Sequence, residues 1–375
     1  MAGRAAEGRR EAPIRSRAGG ADRRMTFEEA RAQFPVLERF AYLNAGTTGP
    51  LARATVAAVV ENVERDAREG RSGTAWIERV LALREEARRG LAAVMGVATE
   101  NVALTESTSR GCSIVVAGLG LAPEDEIVTT DHEHFGLIGS LHASGARVVV
   151  TGADEEAILA AVTPRTRLIA TSHVLWTTGR RLDLDALRAA GVPLLVDGAQ
   201  SAGAIEVGAR PYDFYTVSPQ KWLCAPEQTG GLYVRDPERL AVRMPGPFAA
   251  ASYEPSGAFE PKPGAARFDS GFTAMPALAG LVAALGTHPA WRYERAAQTA
   301  GRFRELLSEV VEVVTPAGNS TLVSFRPKGD PAELVASLHG KGVIVRELPG
   351  RNLVRASVGW WTSDDDLRRL VAGVS

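Results

Sequence analysis

From residue 100 onward, short apolar runs rich in β-branched residues alternate with longer amphipathic stretches, the pattern of a mostly parallel sheet covered by helices. The runs NVALT (101–105), EIVTT (126–130), ARVVVT (146–151), RLIATS (167–172), VPLLVD (192–197), DFYTVS (213–218) and GLYVR (231–235) predict seven strands. Between them 109–118, 135–144, 154–162 and 183–190 read as helices, and 53–69 and 76–95 form two longer helices ahead of the sheet. After a Pro- and Gly-rich loop at 245–264 the pattern changes. Long helices are predicted at 275–286 and 289–312, strands near 321–326, 342–347 and 352–358, and helices at 330–341 and 363–373. Strands and helices alternating there predict a smaller α+β domain beside the sheet. The fold class is therefore α/β, with no internal repeat. The expected division is a tail at 1–24, an N-terminal segment at 25–44 joining the small domain, a large domain at 45–265 and a small C-terminal domain at 266–375.

Composition narrows the partners. With 45% hydrophobic and 23% charged side chains, the 375 residues suffice for a full-sized core. A formal net charge of −1 supplies no basic field for a phosphate backbone, which argues against nucleic acid and for a small molecule. Two cysteines, Cys112 and Cys224, make neither a disulfide framework nor a zinc cluster and fit a reducing, cytoplasmic setting. No apolar run reaches the roughly 20 residues of a membrane span. Residues 1–24 hold so few large apolar side chains that they cannot repay the entropy of ordering, and they read as a disordered tail. Acidic residues and the lack of an apolar stretch argue against a secretory signal there, and Met25 stands as an alternative start.

The segment VPLLVDGAQSAGAIEVGARPYDFYTVSPQK at 192–221 carries the most chemistry. Two apolar strands in it end in polar groups. In an open α/β sheet ligands sit at the carboxyl ends of strands, so Asp197 is expected to meet Ser218, Gln220 and Lys221 there. Taken singly, Asp197 reads as a turn cap and Lys221 as a solvated cation. In LTESTSRGCSIVVAGLGL at 104–121, Thr108 and Ser109 stand where a strand gives way to a helix. Free N–H groups and the dipole at a helix start suit a phosphate, although an ordinary N-cap has the same appearance. His132 and His134, in DHEHFG at 131–136, have no further ligand motif, so no metal site is expected.

Asp-x-x-Gln at 197–200 followed by Ser-x-x-Lys at 218–221 resembles the aminotransferase class V family. These are fold type I enzymes dependent on pyridoxal 5′-phosphate (PLP), among them cysteine desulfurases and isopenicillin N epimerase. The resemblance extends over residues 40–375. It implies that the large domain binds PLP, with Asp197 on the pyridine nitrogen, Gln200 on the ring hydroxyl and Lys221 carrying the cofactor and moving protons. Thr108 and Ser109 match the family's phosphate-binding turn, and Ser218 and Gln220 complete the phosphate cup, although the family often has His at the place of Gln220. His134 resembles the histidine that lies over the ring and assists proton transfer. The strand LVRAS at 353–357 makes Arg355 the clamp for a substrate carboxylate. Residues 42–50 look like the opening loop, placing Asn44 and Gly46 at the substrate. The stretch 266–281 resembles one that crosses a dimer interface, which implies a homodimer with Thr273 reaching the other subunit's phosphate.

Two departures bear on the reaction. Desulfurases carry a mobile catalytic cysteine on a longer loop where this chain has only PGRNLV at 349–354, and Cys112 and Cys224 both read as packing residues. Trp176, in SHVLWTTG at 172–179, stands where many relatives have asparagine near the ring and substrate. The expected activity is that of an enzyme passing a small amino acid through a Schiff base and a Cα carbanion, as an aminotransferase or a C–S lyase. Epimerisation is the alternative, with desulfuration behind it. The competing class is a non-catalytic α/β binding protein.

Overall fold

The computed structural model describes residues 25–318 and 320–374; the tail expected at 1–24 lies outside the described residues. All seven expected strands form one sheet, ordered Val102–Thr105, Gly230–Val234, Phe214–Val217, Leu194–Asp197, Thr166–Ser172, Glu126–Thr130, Arg147–Thr151. The last five in that order run parallel, and Gly230–Val234 is antiparallel to both of its neighbours. Alternate residues of a strand face opposite sides, so a sheet buried on both needs unbroken apolar runs. Leu194 and Val196 accordingly enter one core with the helix Gly73–Met95. Leu195 enters the other, with the helices Thr108–Leu119 and Phe135–His142. No described helix is long and apolar enough to cross a membrane.

A second sheet is ordered Glu312–Val313, Leu322–Arg326, Leu353–Ser357, Arg346–Leu348, all antiparallel. Its core collects side chains from the helices Arg292–Ser308, Pro331–Gly340 and Asp364–Val374, together with Ala41 and Leu43. Ala41–Tyr42 lies parallel to Val343–Ile344, and Asn44 bridges to Ser357. Arg31 forms an ion pair with Asp366 at 2.8 Å, and Phe34 packs edge-on against Trp360.

Three local expectations need correction. The helix expected over 289–312 stops at Ser308, because the β-branched run that follows supplies the strand Glu312–Val313. The loop expected at 245–264 contains the hairpin Ala250–Tyr253/Phe259–Pro261, whose turn uses Gly257 at φ 91°. The single strand expected at 342–347 is divided, Val343–Ile344 pairing with Ala41–Tyr42 and Arg346–Leu348 with Leu353–Arg355. In addition, Leu278, Leu281 and Ala284 of the helix Met275–Leu285 pack in the large-sheet core. On packing alone we propose that the large unit extends through this helix, beyond the division expected at 265.

Candidate active site

A cleft of about 240 Å³ opens at the carboxyl ends of the central strands, where Leu194–Asp197 and Phe214–Val217 deliver Asp197, Ser218, Gln220 and Lys221 to one place. Eleven of the thirteen residues singled out in the sequence line it. Besides those four they are Gly46, Thr108, Ser109, His134, Trp176, Gln200 and Arg355. Asn44 does not line it; its Oδ1 accepts from Thr47 Oγ1 at 2.8 Å, making Asn44 a support beneath the cleft. Thr273 lies elsewhere in the chain, on a shallow depression of about 830 Å³ with Trp76 and Phe272.

Asp197 does cap its own turn, Oδ1 accepting from Ala199 N at 2.9 Å. Its Oδ2 is left without a protein partner among the described residues. Gln200 is oriented without ambiguity: its Oε1 accepts from the indole Nε1 of Trp222, a group that can only donate, and its Nε2 donates to Gly46 O at 2.8 Å. One amide hydrogen of Gln200 remains. Lys221 stands on the turn that follows the strand Phe214–Val217, its N–H donating to Ser218 O, and is half-buried at the cleft. Burial chiefly, and then Arg355 and Arg346, pull its pKa down to about 8 against the opposing pull of Asp197. Gly49 donates to Gln220 O at 2.8 Å, and a Cβ there would stand 2.0 Å from the Lys221 carbonyl oxygen, so only glycine permits this approach.

Ser107 caps the helix Thr108–Leu119 by accepting from Arg110 N, which leaves the first backbone N–H groups of that helix, at Thr108 and Ser109, open to a ligand. The helix Phe135–His142 begins beside it, capped by His134, whose Nδ1 accepts from Gly136 N at 3.1 Å. Trp176 meets the His134 ring edge-on at 5.6 Å.

Arg355 is 1% exposed. It donates to Trp176 O at 2.9 Å and to Thr47 Oγ1 at 3.3 Å, while its Nε is shielded from solvent with no partner among the described residues. Burial, and then the neighbouring Arg346, lower its pKa to about 9. Trp176 Nε1 and Gln220 Oε1 are likewise shielded and unpartnered. Sequence reasoning missed Arg346 and Thr47. Arg346 is the register partner of Arg355, also lines the cleft and reaches Thr47 Oγ1 at 3.1 Å. Thr47 stood in the opening loop and carried a weak signal; Arg346 carried none. Cys112 and Cys224 are fully buried, and burial holds both thiols well above their ordinary pKa.

A family model described as aminotransferase class-V matches residues 41–369. The isopenicillin N epimerase of Amycolatopsis lactamdurans is 30% identical, over 91% of this chain and 96% of that protein. A solved mutant of C-DES with glycine covalently linked to its PLP cofactor superimposes with a TM-score of 0.86 at 27% identity, covering 92% of this chain and 98% of that one. The complex of the cystine C–S lyase C-DES with its reaction product cysteine persulfide gives 0.85 at 27% identity, over 91% and 99%.

Proposed function

The chain belongs to the aminotransferase class-V family of PLP-dependent enzymes, and from that premise we propose that it is a C–S lyase acting on a small sulfur-containing amino acid. The observation that carries the reading is Arg355, a buried guanidinium with an unpartnered Nε and, among the described residues, no carboxylate paired with it, within one cleft with Lys221 and Asp197. A buried cation without a counter-charge is costly, and a substrate carboxylate is the group that would relieve it.

The residues fit the cofactor. An acid oxygen, an amine and the open N–H groups of a helix start are the donor set that a phosphorylated pyridine aldehyde requires. Asp197 Oδ2 would hold a proton at the pyridine nitrogen, Gln200 Nε2 would face the ring hydroxyl, and Thr108, Ser109 and Ser218 would hold the phosphate. When bound, PLP supplies an electron sink conjugated to the substrate Cα. Lys221 Nζ, with its pKa lowered to about 8 by burial, takes the Cα proton near neutral pH. Arg355 holds the carboxylate, and Arg346 beside it adds positive charge at the same end of the cleft. Neither cysteine is placed to receive sulfur, since both are buried, so sulfur expelled from Cβ would leave with the C–S bonding pair and be released, protonated, as a free product. Support for this outcome comes from the structural likeness to the cystine C–S lyase. Epimerisation is the second reading, favoured by the full-length likeness to isopenicillin N epimerase.

Incubating the PLP-loaded protein with cystine, cysteine and a panel of other amino acids, and analysing products by mass spectrometry and chiral chromatography, tests the proposal. Pyruvate and ammonia with a free sulfur product support it. Inverted substrate, or a keto acid with the amino group retained on the enzyme, replaces it with epimerisation or transamination. The resemblance also supports a homodimer. Val56, Val60 and Val63 form an exposed apolar stripe on the helix Arg53–Glu69, close to the depression that carries Thr273 and exposed Phe272. Sedimentation of the parent and of a Val60→Glu variant checks it.

A further inference from the structure

The ladder between Glu126–Thr130 and Thr166–Ser172 ends at Val128 and Ile169. Each strand continues to pair on its other side, Thr130 with Thr151 and Ser172 with Asp197. The sheet is therefore parted at its carboxyl edge, beside the cleft. Glu133 fills the gap. Its Oε1 accepts from Thr130 Oγ1 at 2.8 Å and from Thr171 Oγ1 at 2.9 Å, and both its oxygens share the backbone N–H of Ser172 at 3.1 and 3.0 Å. Ser172 Oγ donates to Oε2 as well. That N–H would otherwise belong to the ladder, so a carboxylate stands in for a missing backbone carbonyl. No cation pairs with Glu133 among the described residues. Burial pushes its carboxyl pKa up, against the four donors that favour the ionised form.

The next residue is His134. With Nδ1 accepting from Gly136 N, the single proton of a neutral imidazole must sit on Nε2. A second proton could be placed only on Nδ1, at the cost of the cap and against the positive end of the helix Phe135–His142. Lys221, Arg346 and Arg355 face the ring from the other elements lining the cleft and disfavour protonation further, with Asp197 opposing them; burial is the largest effect.

We propose that Glu133 is a positioning residue whose carboxylate, wedged where the two strands part, holds His134 in the cleft as a neutral Nε2–H imidazole. In that state His134 offers a donor and a ring face but no proton acceptor, and the proton transfers fall to Lys221. This deepens the function proposed above and rests on it for the role of Lys221, but not for the state of His134.

Two-bond nitrogen–proton spectra of the PLP-loaded protein labelled with ring-¹⁵N histidine read the tautomer without any turnover, so failure here and failure of the proposed reaction are separately visible. His134 is expected to show an unprotonated Nδ1 and a protonated Nε2, and to keep that pattern through the pH range in which an exposed histidine gains its second proton. In Glu133→Gln one end of the side chain becomes a donor and Ser172 N–H loses an acceptor. The expected results are a mixture of tautomers and an upward shift of the titration toward ordinary histidine, with thermal stability and circular dichroism showing a folded chain. Glu133→Ala should move both further; should it not fold, Glu133→Gln decides alone. A wild-type His134 protonated on Nδ1, or folded Glu133 variants whose His134 spectra match the parent, would overturn the proposal.

Discussion

Replacing Arg355 with methionine should make the enzyme more stable and nearly inactive at once. The guanidinium is 1% exposed and has no carboxylate partner among the described residues. Burial's lowering of its pKa from the ordinary arginine range to about 9 corresponds to a ceiling of roughly 5 kcal/mol carried by the charged fold, at about 1.4 kcal/mol per pKa unit. Methionine forfeits the charge-assisted hydrogen bond to Trp176 O and leaves that carbonyl short of a donor, which together return about 3 kcal/mol. The net gain is therefore at most about 2 kcal/mol, or about 2–3 °C in Tm for a chain of this length. Below pH about 9 Arg355 is charged in both folded and unfolded chains, so the penalty is fully present at pH 7; it fades as pH rises through about 9 toward the ordinary arginine range. Calorimetry of parent and Arg355→Met at pH 7, with and without an amino-acid carboxylate, measures this. Carboxylate at about a hundred times its Kd should stabilise the parent by about 2.7 kcal/mol and leave the variant unmoved. A variant that melts several degrees below the parent, or that still responds to carboxylate, would refute the reasoning.

Three further outcomes are expected. The rate of PLP capture by the cofactor-free chain requires the neutral amine of Lys221, so it should rise with pH and reach half its plateau near pH 8, as stopped-flow absorbance would show; borohydride reduction and peptide mapping should then place the label on Lys221 and no other lysine. Asp197→Asn should cut turnover by two orders of magnitude or more, about 3 kcal/mol, while PLP occupancy, read by absorbance, falls far less; unchanged turnover removes Asp197 from the mechanism. A Cys112→Ala/Cys224→Ala double variant should keep most PLP-dependent turnover and melt a few degrees lower, because both thiols are buried packing groups; folded, PLP-loaded protein with turnover lost by orders of magnitude returns desulfuration to the front.

Asp197, Gln200, Ser218 and Lys221 were legible because two neighbouring strands end within one short segment, so sequence order alone brings them together. Thr108 and Ser109 were legible for a similar reason, a strand running straight into a helix. Arg346 was not. It is one arginine in an ordinary strand, and its meaning comes from the antiparallel register that sets it opposite Arg355. Glu133 was equally hidden, since an acid in a loop of charged residues reads as solvated until the parting of two strands reveals what it replaces. The bent strand at Val343–Leu348 escaped because an apolar run does not state how many partners it serves.

The pairing of Ala41–Tyr42 with Val343–Ile344 has a consequence for biosynthesis. A ribosome releases the amino end first, so this strand must wait for roughly 300 further residues before its partner exists. The large parallel sheet can assemble meanwhile, since its strands lie between Val102 and Val234. Gly46 and Thr47 cannot take their places, because the chain reaches them through Leu43 and Asn44, which are anchored on Ile344 and Ser357. Apolar Phe34, Leu37 and Leu43 are left uncovered during that interval, when nascent chains are open to holdase chaperones. Cofactor capture at Lys221 can come first, whereas recognition of substrate has to await Arg355, more than a hundred residues further along the chain.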